Sequence, residues 1–504
     1  MGGINTGVPE NWLLPLFWAT VDGSLAGGSV QSQPALLVGQ KLAAGIAANN
    51  VPIPIGSLAI AQQQFGIGSM LERMCNAFFN INPGQQLWAL PVADPGGGVA
   101  ATGSLQITAN PTAAGTYSLY IAGQLVSVAV GATDTASTIA TNVVAAINAL
   151  TTLPVTATVD GVHNYQVDLT CRWLGATGND IQLSDSYLGV AGGQALPAGM
   201  AVTYTAMAGG AGVPSFTGAI SAIQAQQFLH VGLPYTDTAS MAAWATEYGF
   251  GTTGRWGYQR QQYGWIYQGY RNDYADALTF GLAQNAPVIS TMVWEPLTPT
   301  SMWEATAAYC AQGAQALLDD PARPLQTLPL TGILPAPLSG RFSQTQINTL
   351  AGSGLAVQAV NPSGVPAIVR ESTQYQKNAQ GQSDTAFSLL TVLSNLAALL
   401  TTMSAAISSK YPRHKLAPDG TRFGPGQAII TPTIAKAELV AEARNAEYNG
   451  LMSNVTEFIA NLVVQIDPSN SSRLQVLWPP QLMGQLRQFT LLAQFRLMYP
   501  TVLN

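Results

Sequence analysis

Six residues, Gly249 to Gly254, fit the pattern G-x-G-x-x-G, which in dinucleotide-binding proteins lets the backbone approach a pyrophosphate. Such a site requires a strand directly before the glycines, a helix directly after them and an acidic residue on the next strand. Here a helix is predicted before the motif, at 239–248, and Arg255 and Trp256 follow it. We therefore interpret the motif as an aromatic, glycine-rich loop and expect no cofactor.

The candidates for catalysis and metal binding are few. The three histidines, His163, His230 and His414, are far apart in the sequence. His230 lies in an apolar predicted strand, where a hydrogen-bonded core histidine is expected, and His414 lies in a basic loop without a nucleophile motif. There is no zinc-binding H-E-x-x-H, no G-x-S-x-G nucleophile elbow and no phosphate-binding G-x-x-x-x-G-K-[ST]. We predict no catalytic residues and no metal ligands, and expect that the protein is not an enzyme.

Asp319 and Asp320 are adjacent carboxylates just before Pro321. Paired carboxylates can do acid–base chemistry when they face each other across a site. Neighbours at the end of a predicted helix do not have that geometry, so we interpret this pair as a helix-end turn.

An aromatic cluster follows the glycine-rich loop. It comprises Tyr258, Tyr263, Trp265, Tyr267 and Tyr270, with Arg255, Arg260 and Arg271 among them. Such clusters serve as interface hot spots or as stacking platforms for single-stranded nucleic acid. Because the chain carries a net charge of −6, we favour an interface or a core.

The elements that would position these residues alternate between strand and helix on both sides of residues 94–213. The predicted strands are 35–39, 86–91, 228–233 and 288–293, and the predicted helices are 69–80, 239–248 and 303–318. Ser69 and Glu72 have the spacing of a capping box. This alternation indicates a largely parallel sheet with both faces covered. We predict one discontinuous α/β core domain made of 26–93 and 214–340.

Residues 94–213 differ in character from their flanks, and glycine-rich stretches bound them. Strands are predicted at 103–107, 115–121, 124–130, 155–159, 165–171, 180–183 and 201–207, with one helix at 135–150. Their only basic residue is Arg172, and their net charge is −5. We predict an inserted β-rich domain that faces outward into solvent.

The last third of the chain follows a proline-rich stretch, 321–337. Its predicted strands are 367–373, 462–466 and 474–478, and its predicted helices are 385–409 and 434–448. This mixture indicates a C-terminal α+β domain at 341–485. The predicted fold class is therefore α/β and α+β multidomain, with an α/β core.

Both ends of the chain carry apolar segments that can act as arms. Pro15, within the apolar run 12–18, would remove a ladder hydrogen bond, so that run is an edge strand or an arm. It can fold back on its own domain or add a strand to a neighbouring subunit. Near the other end, apolar and polar residues alternate over 488–497, broken only by Leu492. We predict an N-terminal arm at 1–25 and a C-terminal strand or arm at 486–504.

Charged residues make up only 9% of the chain, against roughly 25% in ordinary globular proteins. Two interpretations stand: a surface largely covered by partners, which we favour, or a low-charge protein without special partners. The pI near 5.1 argues against a direct nucleic-acid contact. Residues 370–504 hold 11 Lys and Arg against 8 Asp and Glu, which suits an acidic partner or is ordinary scatter.

The three cysteines, Cys75, Cys171 and Cys310, are odd in number and far apart, which fits folding in a reducing environment. No basic segment precedes an apolar run at the N-terminus, so we expect no signal peptide. The charge-free run 387–409 is too polar for a membrane span. We interpret it as a buried or oligomer-facing helix and expect no membrane insertion.

Several long strings resemble the contractile tail sheath proteins of Mu-like bacteriophages. They are Asp320 to Leu330, Lys410 to Gly424, Gly426 to Pro432, Leu37 to Ala43, Phe65 to Leu71 and Arg487 to Leu497. They occur in the family's order, and the similarity runs from about residue 8 to residue 497.

The resemblance implies a structural virion protein that binds other copies of itself. Sheath subunits of this family stack as six-membered rings around a tail tube, and terminal arms from neighbours complete a β-sheet in the C-terminal domain. On a baseplate signal the sheath shortens and widens, and the tube is driven through the host envelope without nucleotide hydrolysis. The implied partners are the tail tube protein and the baseplate and tail terminator proteins. The implied location is the virion tail, after assembly in the host cytoplasm.

Specific residues follow for each role. The candidate arm residues are Leu14, Leu16 and Trp18 at one end and Phe489, Leu491, Phe495 and Leu497 at the other. Lys436 and Arg444 are candidates for facing an acidic tube surface. Alternatives remain: the sheath of a phage-derived injection system or bacteriocin, a tube or baseplate protein, or an enzyme with an unusual α/β site.

Overall fold

A computed structural model of the chain describes residues 33–224 and 226–497. The predicted N-terminal arm at 1–25, with Leu14, Leu16 and Trp18, lies outside these residues.

The described chain begins with a strand–helix unit. Its elements are β1 (Ala35–Gln40), β2 (Ile53–Ile55), α1 (Leu58–Phe65), α2 (Met70–Phe79) and β3 (Leu87–Val92). Helix α2 begins where the Ser69 hydroxyl accepts a hydrogen bond from the Glu72 backbone N–H. The Glu72 carboxylate accepts from the backbone N–H of Gly68, 3.1 Å away. The predicted cap is therefore present, with its glutamate bound one residue further upstream than in a capping box.

Two antiparallel sheets and one long helix follow β3. The elements are β4 (Thr102–Ala109), β5 (Gly115–Ile121), β6 (Gln124–Val130), α3 (Ala136–Ala149), β7 (Val155–Val159), β8 (Gln166–Cys171), β9 (Leu183–Asp185) and β10 (Ala201–Ala208). The sheet orders are β10-β4-β8-β7 and β6-β5-β9. The strand predicted at 180–183 begins three residues later, as β9, because Ala176–Asp180 is a 3-10 turn. Both the carbonyl and the carboxylate of Asp180 bind Arg271, which takes this backbone out of the ladder.

The chain then returns to strand–helix alternation. The elements are α4 (Thr217–Ala222), β11 (His230–Gly232), α5 (Thr238–Glu247), β12 (Trp265–Arg271), α6 (Tyr274–Leu282), β13 (Ile289–Trp294), α7 (Met302–Asp319), α8 (Gln344–Ala351), β14 (Ala356–Val360) and β15 (Pro366–Arg370). Asp319 is the last residue of α7 and Asp320 caps it, as predicted for a helix-end turn.

Eight strands form the central sheet, in the order β15-β14-β13-β12-β11-β1-β3-β2. The six inner strands are parallel, and β2 and β15 run antiparallel at the two edges. Helices α2 and α7 pack on each other; α2 packs on β1 and β3, and α7 packs on β1, β11 and β12. Strand β1 lies between β3 and β11, so the two halves of the α/β sequence pattern build one sheet around the intervening segment. The predicted largely parallel sheet is confirmed.

A second, smaller core lies in the last third. Its elements are α9 (Leu390–Lys410), β16 (Lys415–Leu416), β17 (Ile429–Ile430), α10 (Pro432–Tyr448), β18 (Met452–Ser453), α11 (Val455–Asn461), β19 (Val463–Asp467), β20 (Asn470–Leu477) and β21 (Gln481–Leu482). Leu439, Met452 and Phe458 are among the residues that fill it. We call residues 391–482 the C-terminal unit.

Helix α9 joins the two cores. Leu390 and Leu393 belong to the main core, whereas Leu399 belongs to the second. Within the described residues, α9 is the helix whose length and composition would allow it to cross a membrane. Its first half is buried in protein, which supports the interpretation as a buried helix.

Candidate assembly surfaces

The C-terminal tail, residues 483–497, forms no helix or strand within the described chain. The predicted arm residues Phe489, Leu491, Phe495 and Leu497 are 78–96% exposed. Several large apolar side chains left in water on one segment are a feature of surfaces that another chain covers. The tail therefore has the alternating pattern of a β-strand but has no pairing partner among the residues described here.

Strands β19 and β20 form a two-stranded antiparallel hairpin that has no third strand in the described structure. Strand β19 packs on α10, while Val463, Val476 and Leu477 remain 42–63% exposed. The outer edge of such a hairpin presents unpaired N–H and C=O groups to which another strand can add. The hairpin is thus a candidate acceptor for an extended arm.

The two candidate tube-facing residues on α10 have different surroundings. The Lys436 ammonium is half-buried and donates to the Leu462 carbonyl, 2.8 Å away, where α11 ends. Arg444 is exposed. Arg444 can therefore meet another molecule without breaking a contact within the subunit, whereas Lys436 already contributes to the fold.

The Gly249–Gly254 motif has a structural explanation. Helix α5 precedes it, and the loop then folds back so closely that a Cβ on Gly254 would lie 2.2 Å from the Gly249 carbonyl oxygen. The guanidinium of Arg255 is fully buried beneath this loop and donates to the Glu247 carboxylate, 2.8 Å away. The glycines allow close backbone packing above a buried ion pair.

Most of the aromatic cluster is core. Tyr263, Trp265 and Tyr267 are buried, and the last two lie on β12 in the middle of the central sheet. Tyr258 is 73% exposed. These three residues belong to the core. Tyr258 stays a candidate for the interface role.

His230 has the predicted role of a satisfied core histidine. It is fully buried, and its Nδ1 lies 3.1 Å from the Tyr267 hydroxyl. Burial lowers the pKa of His230 to about 3, so the ring is neutral at physiological pH. His163 lies beside Asp160 on an exposed turn, and the ring of His414 contacts Tyr411. The three histidines do not converge.

The remaining nucleophile and metal candidates are dispersed or buried. Burial raises the pKa of the Cys171 thiol to about 12 and holds the pKa values of Cys75 and Cys310 well above their usual range. Thiols that stay protonated are poor nucleophiles. Across 33–224 and 226–497, no group of three or more His, Cys, Asp and Glu side chains is placed to hold a metal ion.

A cavity of about 330 Å³ lies at the carboxyl ends of β1, β11 and β12, the usual ligand position in open parallel sheets. Two of its polar side chains, from the central sheet, are already engaged with the segment between β3 and β11. Gln40 donates to Asp94 and to the Leu174 carbonyl, and Arg271 pairs with Asp180. These groups tie the inserted segment to the central sheet.

Comparisons with known proteins show the family to which the chain belongs. The family model "Phage tail sheath protein central domain" matches residues 209–373. The Mu-like prophage FluMu tail sheath protein of Haemophilus influenzae is 36% identical over 491 residues, which cover 97% of this chain and 98% of that protein. The chain belongs to the tail sheath protein family. The resemblance to Mu-like sheath proteins is confirmed, and this sheath protein is a structural tail component of a phage or phage-like particle.

Solved structures are similar at lower identity. The sheath tail protein of Desulfitobacterium hafniense is 12% identical, with 93% of this chain and 100% of that chain covered and a TM-score of 0.46. The sheath tail protein Lin1278 of Listeria innocua is 10% identical, with 90% and 92% covered and a TM-score of 0.47.

Proposed function

We propose that this sheath protein is the contractile subunit of a tail. Copies polymerise as stacked six-membered rings around a tail tube. When the baseplate signals, the stack shortens and widens and drives the tube through the host cell envelope. Its partners are other copies of itself, the tube protein, and the baseplate and tail terminator proteins. No catalytic step, nucleic-acid contact or membrane insertion is part of this function.

The observation that supports assembly through strand exchange is the exposed apolar tail. Phe489, Leu491, Phe495 and Leu497 lie at alternating positions, so one face of an extended strand would carry all four. A subunit alone leaves them in water. Each apolar side chain of this size contributes about 1.5–3 kcal/mol when it becomes buried, so covering this face by a neighbouring copy is strongly favourable.

The acceptor in our proposal is the outer edge of the β19–β20 hairpin in a neighbouring subunit. The N-terminal arm, with Leu14, Leu16 and Trp18, adds to the same sheet from another neighbour. Backbone hydrogen bonds hold such strands regardless of most side chains. The connections can therefore persist while whole subunits rotate as rigid bodies between the extended and contracted states.

Each predicted domain has its own position in the proposed sheath. The core domain, 26–93 with 214–340, forms the body of the ring, and the inserted domain, 94–213, faces solvent. The C-terminal domain, 341–485, faces the tube with Lys436 and Arg444. Subunits fold in the host cytoplasm, which suits the buried free thiols, and function in the virion tail.

Electron microscopy of the purified chain at rising concentration tests this proposal. We expect hollow, striated tubes from the full chain, and only dispersed subunits from two truncations, one lacking 1–20 and one lacking 488–504. The second truncation keeps all helices and strands that the structure describes, so circular dichroism should match that of the full chain. A full chain that stays monomeric at high concentration, with and without tail tubes, would refute the proposal.

A further inference from the structure

The base of the C-terminal tail is bound at one buried carboxylate. Glu371, which directly follows β15, is fully buried. The Arg487 guanidinium lies over it as a fork: Nη1 donates to Glu371 Oε2, 2.9 Å away, and Nη2 donates to Oε1. A planar guanidinium that meets both oxygens of a carboxylate combines charge with fixed orientation.

Two more side chains complete this contact. The Thr391 hydroxyl, in the first turn of α9, lies 3.2 Å from Glu371 Oε1 and 3.2 Å from Gln485 Oε1. Gln485 Oε1 in turn accepts from Arg487 Nε, 2.9 Å away. We call Glu371, Thr391, Gln485 and Arg487 the neck clasp.

The neck clasp joins the two points where the chain enters and leaves the C-terminal unit. The chain enters through α9, at Thr391, and leaves after β21, at Gln485. Further contacts fix the exit segment to the main body: Gln485 donates to the Ala322 carbonyl, 2.7 Å away, and Gln326 donates to the Leu486 carbonyl, 3.3 Å away. Beyond Arg487 the apolar residues of the tail are exposed. The ordered anchor and the exposed arm therefore meet at Arg487.

We infer that Arg487 anchors the C-terminal arm to the central sheet through Glu371. Force applied to the arm is then carried by the sheet and not by the C-terminal unit. This inference rests on the proposed strand exchange. Without the clasp, tension on the arm would fall on the two single hydrogen bonds that Gln485 and Leu486 make with the main body. It would then pass back through β21, a two-residue strand, into the smaller core. With the clasp, the tension is carried by the buried Glu371–Arg487 ion pair beside β15.

A pair of this kind tolerates little change. Removing the charge of Glu371 leaves a largely buried guanidinium without its counter-ion, an arrangement much less favourable than the intact pair. Lysine at position 487 keeps the positive charge but cannot reach both oxygens with a planar fork. Both changes should release the base of the arm while the rest of the subunit keeps its fold.

Trypsin digestion of the dispersed subunit tests the anchor, because Arg487 and the exposed Arg496 are both cleavage sites. In the native chain we expect cleavage after Arg496 to be much faster than after Arg487. Glu371→Gln and Arg487→Lys should raise the rate at position 487 by about tenfold or more, since cleavage follows the population of the opened segment. Asp276→Asn, at an exposed residue on α6, makes the same carboxylate-to-amide change as Glu371→Gln and should leave both rates unchanged.

Equal rates at positions 487 and 496 in the native chain would overturn the anchor, whether or not sheaths form. Assembled sheaths test the load path: those of Glu371→Gln should fall apart at lower urea or weaker shear than native or Asp276→Asn sheaths. Unchanged resistance would overturn the load path. A native chain that forms no sheath, yet shows protected Arg487, would instead refute the proposed function and leave the anchor in place.

Discussion

Asp180 and Arg271, 91 residues apart, form a salt bridge of 2.5 Å between the inserted segment and the central sheet. The other carboxylate oxygen of Asp180 accepts from the backbone N–H of Met302, 2.6 Å away, at the start of α7. Arg271 also donates to the Thr298 carbonyl, 2.7 Å away. One carboxylate therefore holds a strand end and a helix N-terminus, where a negative charge is favourable. This contact joins the segment between β3 and β11 to the central sheet and to α7.

Asp180→Asn should destabilise the protein by about 2–3 kcal/mol, below the full cost of breaking a buried pair because the Asp180 side chain is 23% exposed. The amide retains one acceptor oxygen and cannot serve both Arg271 and Met302. Thermal or urea unfolding of the dispersed subunit measures the change. Asp168→Asn, the same charge change on β8, should cost less than about 1 kcal/mol. Equal costs would contradict the role of Asp180 as a tie between the two parts.

Gly313 on α7 permits close contact between this helix and β12. A Cβ at position 313 would lie 2.4 Å from the Tyr267 hydroxyl oxygen, and Tyr267 is fully buried. Gly313→Ala would gain about 1 kcal/mol of helix propensity, but the displaced ring should cost more, for a net loss of about 1–3 kcal/mol. Gln315→Ala, on the exposed side of α7, should change the free energy of unfolding by less than about 0.5 kcal/mol. If Gly313→Ala instead stabilises the protein, then α7 can move away from β12 at little cost.

The sequence predicted best the elements whose signals are local. Strands β5, β6 and β7 were predicted to the residue, because alternation and turn residues define both ends. Strand β12 was missed because its residues include Tyr, Gln and Arg, which resemble an aromatic cluster and not the apolar run typical of a parallel strand. Helix α9 begins at Leu390, five residues later than predicted, because the preceding segment bonds to 371–373.

The sequence patterns did not predict the long-range contacts. Glu371 and Arg487 are 116 residues apart, and neither Asp180 nor Glu371 stood out as a charged residue with a special role. Only the folded chain brings these pairs together. The pairing of the C-terminal tail is a different case, since the described chain offers it no partner strand, and its place in a sheet stays a prediction.

His230 makes the stability of the subunit depend on pH. Its pKa is about 3 in the folded state and about 6.5 when unfolded. Below pH 6.5 the unfolded chain therefore binds a proton that the folded chain does not, and stability falls as pH falls. The contribution of this group is about 1.4 kcal/mol per pH unit between roughly pH 6 and pH 3.5.

The comparison of His230→Gln with the native chain isolates this effect. The variant should be less stable at pH 7.5, because contacts with Tyr267 and the ring of Trp265 are lost. Its stability should fall less steeply toward pH 4.5, and urea unfolding at several pH values gives both slopes. His163→Gln, on an exposed turn, should keep the native slope because His230 is intact. Parallel slopes for His230→Gln and the native chain would show that His230 is not the group responsible.

The two faces of the C-terminal tail should differ in their effect on assembly. Replacing Phe489, Leu491 and Phe495 together by Gln removes the apolar face, and should prevent tubes at concentrations where the native chain forms them, since several kcal/mol of burial is lost. Unfolding of the dispersed subunit should shift by less than about 0.5 kcal/mol, because these side chains are exposed. Replacing Gln488, Thr490 and Gln494 by Ala changes the other face and should leave tubes intact. If both triple variants assemble equally, the tail does not pair as a strand with one buried face.

Charge reversal on α10 should separate a tube contact from a fold contact. Arg444→Glu should leave the melting temperature of the subunit unchanged and weaken coating of preformed tail tubes, by about 0.5–1 kcal/mol for each subunit at low salt and less at high salt. Lys436→Glu should also lower the melting temperature, because the ammonium no longer reaches the Leu462 carbonyl. Co-sedimentation with tubes at two salt concentrations measures the coating. If Arg444→Glu coats tubes like the native chain at low salt, then α10 does not face an acidic tube surface through Arg444, and the basic loop at 411–427 becomes the better candidate for that contact.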